Sequence, residues 1–264
     1  MPIQHTTTEV NRWPRRIIAS ALFITIAISL SACGSSSTAS TTTTTVAPST
    51  TTTLPPPPAT LGHYLPLYPF SSAAQVSQWQ QQHQQSGATT PPSPYASATQ
   101  TAVSFASWLG FTGINTAVAS VVTARSAHVT VGFHVSGSSS TVRSAIVHLV
   151  RWGSGAGAPW EVVGTDDTTL TVTAPAYGAS STAPATMGGA ITGVDESIKV
   201  RARSLSSTSD LGSSCCSAAG GTQTPWSRTI SFSAPSGTVV TLIAQTGGHV
   251  ATVERFAVTG VTVK

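Results

Sequence analysis

The spacing of apolar residues changes along this chain from a helical period to a strand period near residue 118. Apolar side chains recur three or four positions apart in residues 73–85 and 99–109, which predicts two amphipathic helices. Ser71 and Ser72, residues typical of helix N-caps, directly precede the first of them. The predicted inward faces carry Ala73, Val76, Trp79, Gln80, Ala102, Phe105, Ala106 and Leu109.

Segments rich in β-branched residues follow the helices and predict an antiparallel sheet. The four predicted strands are 118–123, 128–135, 142–152 and 160–164. Segments of small residues at 137–140 and 153–157 separate neighbouring strands and favour hairpin loops. Two helices followed by such strands predict a small α+β domain over residues 61–165.

The last part of the chain has the pattern of strands alone. Between residues 198 and 203 apolar and basic residues alternate strictly, so Lys199, Arg201 and Arg203 are expected to point away from the core. Turns are predicted at Gly193, Gly220-Gly221, Gly237 and Gly247-Gly248. Because its length is close to the roughly 100 residues of an immunoglobulin-like sandwich, we predict such an all-β domain over residues 166–264.

This C-terminal part also contains a set of segments that occur together in one domain family. They are Leu170–Pro175, Gly188–Glu196, Pro225-Trp226 with Ile230–Phe232, and Gly247–Val250 with Glu254–Phe256. Together they resemble the bacterial spore-germination immunoglobulin-like domain. The resemblance implies an immunoglobulin-like fold in an envelope protein, and it transfers no catalytic motif to these positions.

An apolar segment near the N-terminus ends in Leu30-Ser31-Ala32-Cys33-Gly34. Three arginines precede it, no charge interrupts it, and small residues stand before the cysteine, which is the pattern of a secretory signal peptide. With its cysteine, this sequence resembles the lipobox of bacterial lipoproteins. The resemblance implies a signal peptide over residues 1–32 and lipid chains such as palmitate on Cys33. The alternative is an uncleaved anchor, although the segment is shorter than the roughly 20 residues of a spanning helix.

Residues 33–60 are dominated by Ser, Thr and Pro and carry no charged or aromatic residue. Such a segment buries too little surface to offset the loss of chain entropy on folding. We predict a lipidated cysteine followed by a disordered Thr/Pro-rich tether, with the folded part beginning near Leu61.

Charge is sparse, since Asp, Glu, Lys and Arg make up 8% of the 264 residues and the formal net charge is +4. The leader contributes three arginines and one glutamate, a net +2, which leaves about +2 on the mature chain. Nucleic-acid binding needs clustered basic residues on one face, so no nucleic-acid partner is expected. Besides Cys33 there are only Cys215 and Cys216, which form either two loop thiols or a vicinal disulfide.

The polar residues form no recognisable catalytic or metal-binding motif, and no cofactor is expected. The acidic pairs Asp166-Asp167 and Asp195-Glu196 lie at predicted strand junctions, where turn or surface roles are expected. The histidines lack the spacing of metal hydrolases.

The candidate binding residues are the basic row Lys199, Arg201 and Arg203, together with His249. The row either contacts an anionic wall polymer or an acidic partner, or it is structural. In the structural case its partners would be Asp195, Glu196 and Glu254.

These patterns favour a non-catalytic lipoprotein on the extracytoplasmic face of a bacterial cell membrane, held there by its N-terminal lipid. Its folded part would present a binding or scaffolding surface to an envelope protein or wall polymer. The alternative is a cell-wall-modifying enzyme, or an accessory of one, with its site in residues 61–165.

Overall fold

The computed structural model describes residues 61–85 and 93–264. The helices are α1 (Ala73–Gln85) and α2 (Ala98–Trp108), with a short 3₁₀ turn at Pro94–Ala96. The strands are β1 (Thr116–Val122), β2 (Ser126–His134), β3 (Thr141–Arg151), β4 (Trp160–Thr165), β5 (Ser180–Ser181), β6 (Ala185–Arg203), β7 (Gly212–Ile230), β8 (Val239–Thr246) and β9 (Arg255–Val263).

Both predicted helices are present, and each begins at a serine cap. The Ser72 Oγ accepts a hydrogen bond from the Gln75 N–H at 3.3 Å, and the Ser97 Oγ accepts one from Gln100. The cap oxygens satisfy N–H groups that have no partner inside the helix. The predicted inward face of α2, which includes Phe105 and Leu109, is fully buried.

The strands of the α+β part form an antiparallel sheet in the order β1-β2-β3-β4. Its inner face packs against α2 through Val129, Val147 and Leu149, all fully buried. The outer face carries the alternate residues, and in the β2–β3 register His128 lies opposite His148 and Thr130 lies opposite Ile146. Because alternate residues share a face, these four side chains lie on the outer side of the sheet.

Every regular element after residue 170 is a strand, which confirms the all-β prediction for this part of the chain. The strands form one sheet in the order β5-β9-β8-β6-β7, in which the short β5 pairs parallel to β9. The predicted alternation in β6 is confirmed, because Ile198, Val200 and Ala202 are fully buried.

The turns predicted at Gly193 and Gly220-Gly221 are wrong, since these glycines lie inside β6 and β7. The two strands have 19 residues each and form one long hairpin whose register shifts near Gly193. Such bulges let a strand bend without ending. Gly221, with φ +93°, supplies a backbone conformation that other residues rarely adopt.

The two sheets share one hydrophobic cluster across the predicted boundary at residue 166. Ile243, Phe256 and Val258 from the second sheet join the core under α2. The rings of Phe111 and Phe256 lie 5.2 Å apart between centroids, and the Val258 N–H donates to the Thr165 Oγ1 at 2.9 Å. The two parts therefore pack as neighbours rather than as separated modules.

The signal peptide, Cys33 and the tether predicted over residues 1–60 lie outside the described residues. Within residues 61–85 and 93–264, no helix is long and apolar enough to cross a membrane.

Candidate binding site

The basic row on β6 is held by an acidic residue that the sequence did not suggest. Arg201 donates from Nε and Nη2 to the two carboxylate oxygens of Asp210, and Arg203 Nη1 lies 3.5 Å from Asp210 Oδ1. Arg203 also donates to the Thr208 carbonyl at 3.0 Å. Lys199 alone of the row is exposed.

Aromatic rings near the end of α2 cover the same two arginines. The Arg201 guanidinium carbon lies 5.3 Å from the centre of the Phe111 ring, and that of Arg203 lies 5.0 Å from the Trp108 ring. Burial lowers the pKa of Arg203, and Asp210 acts in the opposite direction. These contacts favour the structural interpretation of Arg201 and Arg203.

His249 lies exposed in the turn between β8 and β9. The carboxylate of Glu254 fastens this turn by accepting the backbone N–H groups of His249, Val250 and Ala251 at 2.8, 2.6 and 3.3 Å. Burial acts to raise the pKa of Glu254, but these hydrogen bonds bring it below its ordinary value. Glu254 thus holds a turn and not the basic row; the side chains of Asp195 and Glu196 lie outside the described part.

A cluster that the sequence did not reveal lies on the outer face of the first sheet. The imidazole rings of His128 and His148 stack with centroids 4.4 Å apart and planes 14° from parallel. Asp166 Oδ2 lies 2.7 Å from His128 Nδ1, and Ser126 Oγ lies 3.2 Å from His148 Nε2. The register of β2 and β3 brings the two histidines together, because it sets His128 opposite His148.

The two histidines differ in their surroundings. Burial lowers the pKa of His148, the neighbouring His128 lowers it further, and Asp166 acts in the opposite direction. His148 is therefore held in its neutral form, in which one ring nitrogen accepts a hydrogen bond. The cluster places the imidazole of His128, with its carboxylate partner Asp166, against the imidazole of His148, an arrangement suited to hydrogen bonding or proton transfer.

A groove of ≈ 430 Å³ lies next to this cluster. Its lining includes Thr130 and Ile146, the pair that follows His128 and His148 along the sheet face. The other lining residues are Arg143, Ser144, Ala145, Asp167, Thr168, Thr169 and Arg255. Charged and hydroxyl groups thus line the groove beside a half-buried isoleucine, so the groove offers hydrogen-bonding partners together with an apolar surface.

Glu161 is the one fully buried carboxyl among the described residues, and its role is structural. Its Oε1 accepts the Tyr68 N–H at 2.9 Å, and its Oε2 accepts the Phe70 N–H at 3.2 Å. Burial raises its pKa well above the ordinary value, although both hydrogen bonds act to lower it. The carboxyl fastens the segment before α1 to β4.

Cys215 and Cys216 form a vicinal disulfide, which lies on β7 and not in a loop. The Arg228 guanidinium donates to both of their carbonyl oxygens and, through Nε, to the Ser214 Oγ at 2.8 Å.

Among the described residues, no three His, Cys, Asp or Glu side chains come together as a metal site. Comparison of the chain with protein-family models, with curated proteins and with solved structures found no match.

Proposed function

We propose that this protein is a bacterial lipoprotein, held by lipid on Cys33 at the extracytoplasmic face of the cell membrane, whose folded part binds an envelope component without catalysis. The observation that carries the proposal is the apolar, uncharged segment 17–30, which ends at Leu30 and is followed directly by Ser31-Ala32-Cys33. A cysteine at this position has a clear use as a lipid acceptor, whereas a plain secretory signal needs none. Two acyl chains on one residue suffice for stable anchoring.

The length of chain between the cysteine and the folded part supports this arrangement. The first described residue is Leu61, and the segment before it is rich in Ser, Thr and Pro. If residues 33–60 form the predicted tether, a chain of that length would span about 30 Å on average. The folded part would then stand clear of the lipid headgroups and be able to reach a partner.

We further infer that residues 166–264 are an immunoglobulin-like sandwich. The bent β6–β7 hairpin supports this, because its first half pairs with residues 170–174 through the bridges Leu170–Ile191 and Ala174–Gly188, whereas its second half pairs with β8. The side chains of Leu170, Met187 and Ile191 share a buried cluster with Val200 and Leu242. Immunoglobulin-like domains commonly serve as binding modules at cell surfaces.

The anchor is tested by replacing Cys33 with Ser. We expect loss of the lipid mass and release of the protein from the membrane fraction, measured by mass spectrometry and by fractionation of cells. The matched control is the double variant Cys215→Ser/Cys216→Ser, which removes the other two cysteines and their disulfide and should remain lipidated. Unchanged mass and membrane retention in Cys33→Ser would exclude the lipoprotein.

A second candidate function is modification of the cell wall, and the His128–Asp166 pair favours it. A carboxylate bonded to Nδ1 fixes the orientation of an imidazole, as a general base requires. The test compares turnover of purified cell wall by the parent, His128→Gln and Asp166→Asn. Parental activity that both variants reduce at least 100-fold, with unfolding temperatures unchanged, would favour the enzyme over the binding protein.

A further inference from the structure

We propose that the groove beside the first sheet binds an acidic sugar, a hydroxylated ligand that carries one carboxylate or phosphate group. This inference deepens the proposed function and rests on it, because it names the ligand class for a binding protein of the envelope. Three features of the groove carry it: two guanidinium groups, an unpaired buried hydroxyl, and a mixed polar and apolar lining.

The two guanidinium groups come from different sheets. Arg143, on β3, is exposed and has no hydrogen-bond or ion-pair partner among the described side chains. Arg255, on β9, donates to the Thr192 carbonyl at 3.2 Å and lies against Gly193, where an added Cβ would overlap the guanidinium. The Arg255 guanidinium is therefore held in place by the fold, whereas the exposed Arg143 side chain is able to move onto a ligand. Guanidinium groups match the geometry of carboxylate and phosphate oxygens.

Ser144 supplies a second, independent observation at the groove. The residue is 3% exposed and lines the groove, and its Oγ has no hydrogen-bond partner in the described structure. Buried hydroxyl groups are nearly always hydrogen-bonded, because an unpaired one keeps the cost of leaving water. A ligand oxygen in the groove would supply the partner.

The remaining lining selects for a hydroxylated ligand over a bare anion. Thr168 and Thr169 add hydroxyl groups, and the exposed carboxylate of Asp167 is an acceptor for ligand hydroxyls. Ile146 offers an apolar patch for the face of a ring.

The experiment measures binding by the full-length chain in non-ionic detergent, using isothermal titration calorimetry. The probes are N-acetylmuramic acid, which carries a carboxylate, and N-acetylglucosamine 1-phosphate, which carries a phosphate. N-acetylglucosamine is the uncharged control. Binding of the first or the second probe identifies the source of the anion, and we expect at least tenfold weaker binding of the uncharged sugar.

Two variants separate this site from adventitious charge attraction. Arg143→Gln should weaken binding of the acidic sugar at least tenfold, whereas Arg125→Gln, at an exposed arginine beside a different pocket, should leave it unchanged. Ser144→Ala should weaken binding severalfold while the free protein stays as stable as the parent or becomes more stable, because an unpaired hydroxyl has been removed.

The proposal is overturned if neither acidic probe binds at about 10 mM, or if binding is equal in the parent, Arg143→Gln and Ser144→Ala. Lipidation plays no part in the titration, so a negative titration would not contradict the proposed lipid anchor. A negative result with Cys33→Ser would likewise not contradict sugar binding in the groove.

Discussion

Arg201 donates hydrogen bonds from Nε and Nη2 to both carboxylate oxygens of Asp210, at 2.7 and 2.9 Å. The pair joins β6 to the loop that leads into β7, and the Arg201 side chain is only 12% exposed. A two-point contact of this kind fixes both side chains, and the Phe111 ring covers the guanidinium. Of the three basic residues on β6, Arg201 and Arg203 therefore make contacts within the protein.

Replacing Asp210 with Asn should lower the free energy of unfolding by about 1–2 kcal/mol, because it removes a charge-assisted pair and leaves a poorly exposed guanidinium without its counter-charge. Urea unfolding followed by circular dichroism measures the change. Lys199→Gln is the matched control, since its exposed side chain should change stability by less than about 0.5 kcal/mol. Equal stability of the two variants would show that the pair contributes nothing.

Lys199→Gln also tests whether the basic row is a binding surface. If the row is structural, Lys199→Gln should bind isolated cell wall as the parent does at both low and raised ionic strength. If Lys199→Gln no longer binds the wall, and if the parent also stops binding it at high salt, the basic row becomes a candidate binding site again.

The elements with clear periodicity were predictable from the sequence, whereas the contacts between them were not. Helix α2 lies within one residue of its predicted range, because its apolar face repeats at helical spacing. The turn predicted at Gly193 fails because a bulge accommodates glycine inside a long strand. The pairs Arg201–Asp210 and His128–His148 depend on a loop path and a strand register, neither of which leaves a local signal.

Phe111→Ala and Phe256→Ala should each destabilise the whole folded part by about 3–5 kcal/mol, because both side chains are buried in the cluster shared by the two sheets. A double-mutant cycle should give a coupling of about 0.5–1.5 kcal/mol for the ring pair. Calorimetry should also show one transition for the parent. Two separate transitions, with only one moved by each substitution, would mean that the sheets unfold independently.

The buried Glu161 should make the protein less stable as the pH rises. Its pKa in the folded protein lies well above that of the unfolded chain, so the folded state holds the extra proton. The contribution of Glu161 to stability is therefore greatest when the pH lies below the pKa of Glu161 in the unfolded chain, near 4.5. It falls as the pH rises from there toward the higher pKa of Glu161 in the folded protein. Glu161→Gln, which cannot ionise, should flatten this dependence in chemical unfolding measured across the acid and neutral range.

Glu161→Ala separates the charge of this carboxyl from its hydrogen bonds. The alanine leaves the N–H groups of Tyr68 and Phe70 without an acceptor, so it should cost about 1–3 kcal/mol for each group that stays buried, at every pH. If the stability of Glu161→Gln depends on pH as steeply as that of the parent, the raised pKa of Glu161 is contradicted.

His148 should produce the opposite dependence on pH. Its pKa is lowered in the folded protein by burial and by His128, against the effect of Asp166, so the unfolded chain takes up a proton more readily. Stability should therefore fall as the pH drops below about 6.5, the unfolded value, and level off below the folded one. His148→Gln should remove this loss. Ser126→Ala keeps the imidazole but removes its 3.2 Å contact, so it should lower stability by about 0.5–1.5 kcal/mol and retain the loss in acid. An unchanged loss of stability in acid in His148→Gln would contradict the lowered pKa of His148.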